Sequence, residues 1–268
     1  MGPSFFIANA APQPSLTAHV KKQEQMMKDV IIACDFKNKQ TTLDFLDQFT
    51  ERKPFVKIGM ELFFFEGPAI VREIKARGHK IFLDLKIHDI PNTVKSAMQS
   101  LASLEPDIID VHSAGTAVMM KAALEGCVRA DGTRPLVIAV TQLTSTTPEA
   151  LRDELLIPNS MEDTVIHYAQ NTMNAGLDGI VCSPLEVAAV KKNTRPNFIT
   201  VTPGIRPLDA SKDDQARFTT RPRPRRTVPT TSSSAARSPA PPIPSPLTPK
   251  STTNSWGCNH GKPRTCCC

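Results

Sequence analysis

Residues 80–94 read Lys-Ile-Phe-Leu-Asp-Leu-Lys-Ile-His-Asp-Ile-Pro-Asn-Thr-Val. The stretch opens as an apolar, β-rich run, Lys80–Lys86. A short polar turn follows, and Pro91 stands where a helix over Asn92–Leu104 would begin, since a first-turn proline loses no helical hydrogen bond. Strand, tight link and helix in that order make one βα unit.

The same order recurs on both sides. Strands are predicted over Val30–Phe36, Phe55–Met60, Lys80–Lys86, Ile108–His112, Leu136–Thr141, Gly179–Cys182 and Phe198–Thr202. Their near-continuous apolar character suits parallel strands covered on both faces. Helices are predicted over Thr42–Arg52 behind a Thr41 cap, Gly67–Arg77 stopping at Gly78, Asn92–Leu104, Ala114–Ala130, Met161–Ala175 and Pro184–Lys192. The alternation predicts a parallel α/β fold. An open doubly wound sheet satisfies the pattern. So does a (β/α)8 TIM barrel, which needs eight strands where seven can be read. Polar residues gather at strand ends: Asp35, Lys57, Asp84 with Lys86, His112, Thr141 with Thr144, and Thr202. The C-terminal mouth of a barrel builds its site there, which favours the barrel with its eighth strand missing.

Charge and cysteine divide the chain. Residues 1–217 hold 24 Lys+Arg against 26 Asp+Glu, a net of −2, whereas 218–268 hold eight basic residues and no acid. The overall +6 therefore belongs to the tail. The body has no basic surface to suit nucleic acid. Cys34, Cys127 and Cys182 stand singly among apolar neighbours and read as buried thiols of a reducing cytoplasm. Cys258, His260 and Cys266 to Cys268 are a poor frame for a metal, because ligands need spacing held by a local fold. No run approaches a membrane span, and residues 1–25 lack the ordered regions of a signal peptide. Residues 1–26 read as an extension, disordered or upstream of the true start, and 27–217 as the barrel domain. Ten prolines in 218–268 deny most of that tail a helix or interior strand, and its composition reads as disordered.

Asp84 and Lys86 lie two apart on one strand and so share a face, the interior face in a barrel. Asp89 follows at the turn. A strand-end salt bridge explains an isolated Asp-x-Lys. Here Asp35 and Lys57 stand at neighbouring strand ends, and five ionisable groups converge on one rim. Burying so many charges is costly unless they serve chemistry.

Asp84-x-Lys86-x-x-Asp89, extended through His88-Asp-Ile-Pro-Asn-Thr93, resembles the signature of orotidine 5′-phosphate decarboxylases of the bacterial type. Ile32-Ala-Cys-Asp35, Phe55-Val-Lys-Ile-Gly-Met-Glu61 and Thr202-Pro-Gly-Ile-Arg206 agree with it in order. The resemblance covers roughly residues 27–217. Asp-x-Lys-x-x-Asp alone is shared with sugar-phosphate aldolase and decarboxylase relatives; the Asp-Ile-Pro-Asn-Thr and Thr-Pro-Gly-Ile-Arg extensions are far more specific.

The resemblance implies catalytic roles for Lys86, Asp84, Asp89 and Lys57. Lys86 is the cation beside C6 of the pyrimidine and its proton donor. Asp84 lies against the departing carboxylate. Lys57 bridges the charges to a ribose hydroxyl, and Asp35 binds ribose. Asp89 and Thr93 reach into a neighbouring subunit's site, which implies a homodimer. Leu85, Ile87, His88, Ile90, Pro91 and Asn92 line the substrate site within the signature, and Thr144 contacts the base. Arg206 and Gln215 help hold the phosphate, and Pro203 is a further substrate-binding residue. No metal or organic cofactor is implied, and neither nucleic acid nor membrane is a partner. Of the remaining histidines, His112 is expected at the mouth, and His79 and His167 as structural or surface residues.

Family members continue from Asp213-Asp-Gln215 through a helix to an eighth strand ending Val-Val-Gly-Arg, which grips phosphate. Here the Ser/Pro/Thr-rich tail stands instead. A codon choice compatible with Pro229–Arg237 reads Asp-Tyr-Ile-Val-Val-Gly-Arg-Ala from two bases in, so a frameshift between about Gln215 and Pro229 explains the break. Resequencing that interval tests it; an intact frame would refute it. The expected consequences are open edges on the first and seventh strands and impaired activity. Two other functions fit less of the chain. A sugar-phosphate aldolase or decarboxylase would show a magnesium requirement. A non-enzymatic, basic-tailed binding protein would lose RNA binding without residues 218–268.

Overall fold

The computed structural model describes the backbone of residues 30–206, 219–220 and 264–267, and the side chains of 30–203. All of these belong to one compact unit, Met1–Arg221 with Lys262–Cys268; the other unit, Pro222–Gly261, lies outside the described residues.

The seven apolar runs become seven parallel strands: β1 Val30–Ala33, β2 Phe55–Gly59, β3 Ile81–Ile87, β4 Ile108–His112, β5 Leu136–Val140, β6 Gly179–Val181 and β7 Ile199–Arg206. Each pairs with the next in chain order, from β1–β2 through β6–β7. Helices return the chain between them: α1 Lys39–Asp47, α2 Met60–Glu66, α3 Pro68–Ala76, α4 Pro91–Ala102, α5 Thr116–Cys127, α6 Pro148–Asp153, α7 Met161–Asn174 and α8 Val187–Asn193. This is the TIM-barrel order with its eighth parallel strand missing.

The expected open edges are not found. Beyond β8, Thr219–Thr220, a last strand β9, Arg264–Cys267, lies between β7 and β1 and runs antiparallel to both. Val30 faces Cys267 and Ala33 faces Arg264 on one side, and Thr202 faces Cys267 on the other. Among the described residues the sheet is therefore a closed ring. Closure removes unpaired edges, which is why a strand can occupy the gap even with the wrong direction. Both β8 and β9 fall within the tail expected to be disordered; Gln215 and the proline-rich 221–263 are outside the described residues.

Strand alternation sorts the core into two layers. Ile31, Phe55, Phe82, Ile108, Leu136, Ile138, Ile199 and Val201 meet one another inside the ring. The alternate residues, among them Val56, Leu83, Leu85, Ile109 and Val137, pack outward with helix residues such as Leu46, Ile74 and Met98. Fully burying each such side chain contributes about 1.5–3 kcal/mol. Val165, Ile180, Val190 and Phe198 form a further cluster under α7 and α8.

Local signals set the helix ends. Asn38, rather than Thr41, caps α1: its Oδ1 accepts from Thr41 N at 3.0 Å. Pro68, Pro91 and Pro148 occupy first-turn positions. The predicted helix from Gly67 is preceded by another, α2, because Gly67 at φ +68° breaks the two apart. The helix α6 was not predicted; Thr147 Oγ1 caps it, accepting from Ala150 N at 3.2 Å.

Candidate active site

Counting outward from the interior floor locates the charges. Asp35 lies four residues after Ile31, and Lys57, Asp84 and Asp110 lie two after Phe55, Phe82 and Ile108. Even steps along a strand keep one face. The four groups therefore stack above the apolar floor, toward the C-terminal mouth.

There they form a chain of alternating sign. Lys57 Nζ lies 3.2 Å from Asp35 Oδ1 and 3.1 Å from Asp84 Oδ2. The other oxygen of Asp84, Oδ1, accepts from Lys86 Nζ. Asp84 is thus shared by two ammonium groups. Burial would raise its pKa, but the charges of Lys57 and Lys86 outweigh burial and hold the carboxyl well below the usual range. Its ionised form therefore contributes stability above the ordinary carboxylate pKa, and that contribution is lost only as pH falls into strong acid. Gly59, beyond Lys57, leaves room for the array. A Cβ there would stand 3.1 Å from Lys57 Nζ and 3.5 Å from Asp35 Oδ1.

Lys86 reaches the mouth through an irregularity. Leu83 pairs with Ile109 and Ile87 with Val111, so Asp84, Leu85 and Lys86 on β3 face only Asp110 on β4. Lys86 adopts φ +52°, a left-handed conformation that costs on the order of 1–3 kcal/mol in a residue with a Cβ. Such bulges re-aim side chains beside active sites. With the ladder interrupted, Lys86 N donates instead to Asp110 Oδ1 at 2.8 Å.

Asp110 was not singled out from the sequence. It sits inside an apolar run, and only its phase with Ile108 places it in the interior. It is fully buried, and among the described residues its Oδ2 has no donor to accept from. Burial and the facing Asp84 carboxylate push its pKa well up.

The remaining predicted residues divide. Leu85 and Ile87 lie with the outer core, so their side chains turn from the mouth. His88 is exposed, with its ring 5.6 Å from that of His112. Burial and then His88 lower the pKa of His112. Asp89 and Ile90 are exposed at the start of α4, where Asp89 Oδ1 accepts from Ile90 N at 2.6 Å. Pro91 opens that helix, and Asn92 and Thr93 are exposed on its first turn. Thr144 is half-buried in the loop after β5, and Pro203 is half-buried within β7. Arg206 is the last residue of β7, with its side chain outside the described ones, and Gln215 is not among the described residues. His79 is buried, with Nδ1 2.9 Å from Pro54 O, and His167 is exposed. Cys34, Cys127 and Cys182 are buried. Burial pushes Cys34 and Cys127 up to about 12.

This geometry belongs with a defined set of relatives. The profile of the Orotidine 5′-phosphate decarboxylase / HUMPS family matches residues 28–226. The orotidine 5′-phosphate decarboxylase of Bacillus cytotoxicus is 52% identical over 198 residues, covering 73% of this chain and 83% of that protein. The enzyme of the same name from Bacillus cereus matches equally. Among solved structures, orotidine 5′-phosphate decarboxylase from Lactobacillus acidophilus superposes with a TM-score of 0.64 at 39% identity, covering 67% of this chain and 82% of that one. A protein from Geobacillus kaustophilus described as uncharacterized gives 0.62 at 48% identity, covering 63% and 80%.

Proposed function

The chain belongs to the orotidine 5′-phosphate decarboxylase / HUMPS family, and on that premise we propose that it is a carboxy-lyase converting orotidine 5′-phosphate to UMP and CO2 in pyrimidine biosynthesis. What carries the reading is the alternating Asp35, Lys57, Asp84, Lys86 chain at the mouth of a parallel barrel.

Breaking the C6–carboxylate bond leaves an electron pair on C6, in the ring plane where no π system delocalises it. The Lys86 ammonium, already fixed by Asp84, stabilises that pair without reorganising at the moment of reaction. It then gives C6 a proton, completing UMP, and regains one from water. Lys57 and Asp35 meet the ribose hydroxyls, and Thr144 the base. Pro203 lines the substrate site, and Arg206 and Gln215 serve the phosphate, whose binding energy is remote from the bond broken yet can order the site. This chemistry calls on no metal and no organic cofactor. Turnover is reduced in this chain, because β9 stands where the family's glycine–arginine strand end grips phosphate.

Asp89 and Thr93 act from a neighbouring subunit. Their exposure at the start of α4 supports this, as do the large exposed apolar side chains of Ile90, Phe64 and Phe65. Mixing an Asp89→Ala chain with a Lys86→Ala chain is then expected to restore activity, since a two-fold hybrid carries one intact site and a statistical mixture about a quarter of all sites. Recovery no greater than the sum of the two variants would rule the shared site out.

No helix among the described residues is long and apolar enough to cross a membrane, and we place the work in the cytoplasm. The test is to incubate the full chain with orotidine 5′-phosphate and a chelator. UMP and CO2 are expected in equal amounts. A folded chain that forms no UMP, or forms it only with added magnesium, would exclude the reading.

A further inference from the structure

Two carboxyl groups, Asp84 and Asp110, face one another in the barrel interior, and their situations differ. Asp84 accepts from two ammonium groups. Asp110 is fully buried, accepts a backbone N–H at Oδ1, and among the described residues has no donor at Oδ2. Two ionised carboxylates cannot share a dry site without strong repulsion. A single proton between them removes it, and the pair of ammonium groups on Asp84 decides which carboxyl carries that proton.

We propose that Asp110 is a positioning residue for the decarboxylation: as a neutral acid it donates through Oδ2–H to Asp84 and accepts the Lys86 N–H at Oδ1, clamping the left-handed turn that aims the Lys86 ammonium. The proposal rests on the decarboxylase reading for its kinetic consequence, though not for the protonation state. Asp84 has the capacity, since an ionised carboxylate offers about four lone-pair sites and Lys57 and Lys86 leave some unused. The clamp is needed because the β3–β4 ladder supplies no partner here: three residues of β3 face one of β4. The Asp110 carboxyl thus grips both ends of the Asp-x-Lys pair, Oδ2 at the Asp84 side chain and Oδ1 at the Lys86 backbone N–H.

The charged groups around Asp110 can be named from every flank. Asp84 and Lys86 face it from β3, and Lys57 on β2 lies behind Asp84. His112, with His88 against it, stands two residues along β4. On the other flank β5 pairs Ile138 with Asp110 and Val140 with His112, and contributes no titratable group at this level.

Asparagine in place of Asp110 reproduces the clamp, with Nδ2–H donating to Asp84 and Oδ1 accepting from Lys86 N. Leucine keeps the volume and removes both bonds. In the full chain, Asp110→Asn is expected to retain kcat within about tenfold, whereas Asp110→Leu loses roughly 10²-fold in kcat with KM little changed, as a misplacement of about 1 Å can cost. Infrared spectra of the full chain at neutral pH, with and without 13C-aspartate, supply a readout independent of turnover. The parent is expected to show the carbonyl stretch of an un-ionised carboxylic acid, and Asp110→Asn to lack it. The absence of that band in the parent, or its persistence in Asp110→Asn, overturns the proposal whether or not the chain forms UMP. Equal loss of kcat in folded Asp110→Asn and Asp110→Leu overturns it as well. A parent chain that shows the band but no UMP formation refutes the decarboxylase reading and leaves the neutral acid standing.

Discussion

Replacing Lys86 with alanine is expected to lower kcat for orotidylate by at least about 10⁴-fold, since it removes both an electrostatic stabiliser worth roughly 10²–10³ and a proton donor worth roughly 10²–10⁴. The ammonium answers the two needs of the reaction in sequence: it faces the electron pair as CO2 leaves, then delivers a proton to the same carbon. The fold is expected to survive. Asp84 keeps its second cation, Lys57, at 3.1 Å. The backbone bond from residue 86 to Asp110 does not depend on the side chain, and alanine pays the same left-handed strain that lysine does. The loss should therefore appear in kcat, with an unfolding midpoint close to that of the parent. Lys86→Arg should not restore turnover, because the planar guanidinium holds its charge further out and does not release a proton near neutral pH. Activity within about tenfold of the parent, or activity recovered with added metal, would refute the assignment.

Deleting Lys262–Cys268 is the second change of large expected effect, here on stability. The segment holds β9, which pairs four residues with β1 and two with β7. At about 0.5–1.5 kcal/mol net for each backbone hydrogen bond, and roughly one bond per pairing, the loss is on the order of 3–9 kcal/mol. Total stability is typically only ~5–15 kcal/mol. Removal also bares the edges of β1 and β7, beside an interior lined by Ile31, Ile199 and Val201, and bare edges invite pairing between chains. The truncated chain is expected to unfold at markedly lower urea and to sediment as aggregate. A truncated chain with the parent's midpoint and a single monodisperse species would show that β9 contributes no closure.

The fold was legible from Phe82–Val94 outward because both of its signals are local. A buried parallel strand needs a continuous apolar run, and each helix start announces itself through a cap or a first-turn proline. Errors fell where two signals competed. Met60, predicted as the last residue of a strand, instead opens the helix Met60–Glu66, of which 61–66 had no assignment, and Gly67 then ends it. Thr41 could cap, but Asn38 is placed to accept from its amide.

The site was legible to the extent that its residues sit at strand ends with interior phase. Asp35, Lys57, Asp84 and Lys86 come together as that phase requires. Leu85 and Ile87 belong to the same motif, yet alternation turns their side chains to the outer core. Asp110 escaped notice because a lone acid within an apolar run carries no local signal. Its importance comes from a neighbouring strand that bulges opposite it.

Residue order alone therefore settled the strand and helix alternation, the parallel sheet and the chemical character of the mouth. Each follows from periods of two and 3.6 and from the refusal of charge to be buried alone. Tertiary structure decided what depends on partners distant in the chain. It set the bulge that aims Lys86, the placing of the Asp84 and Asp110 carboxyls against one another, and the closing of the ring by Arg264–Cys267 running antiparallel. A strand's direction and a carboxyl's protonation are properties of the surroundings, and those exist only once the chain has folded.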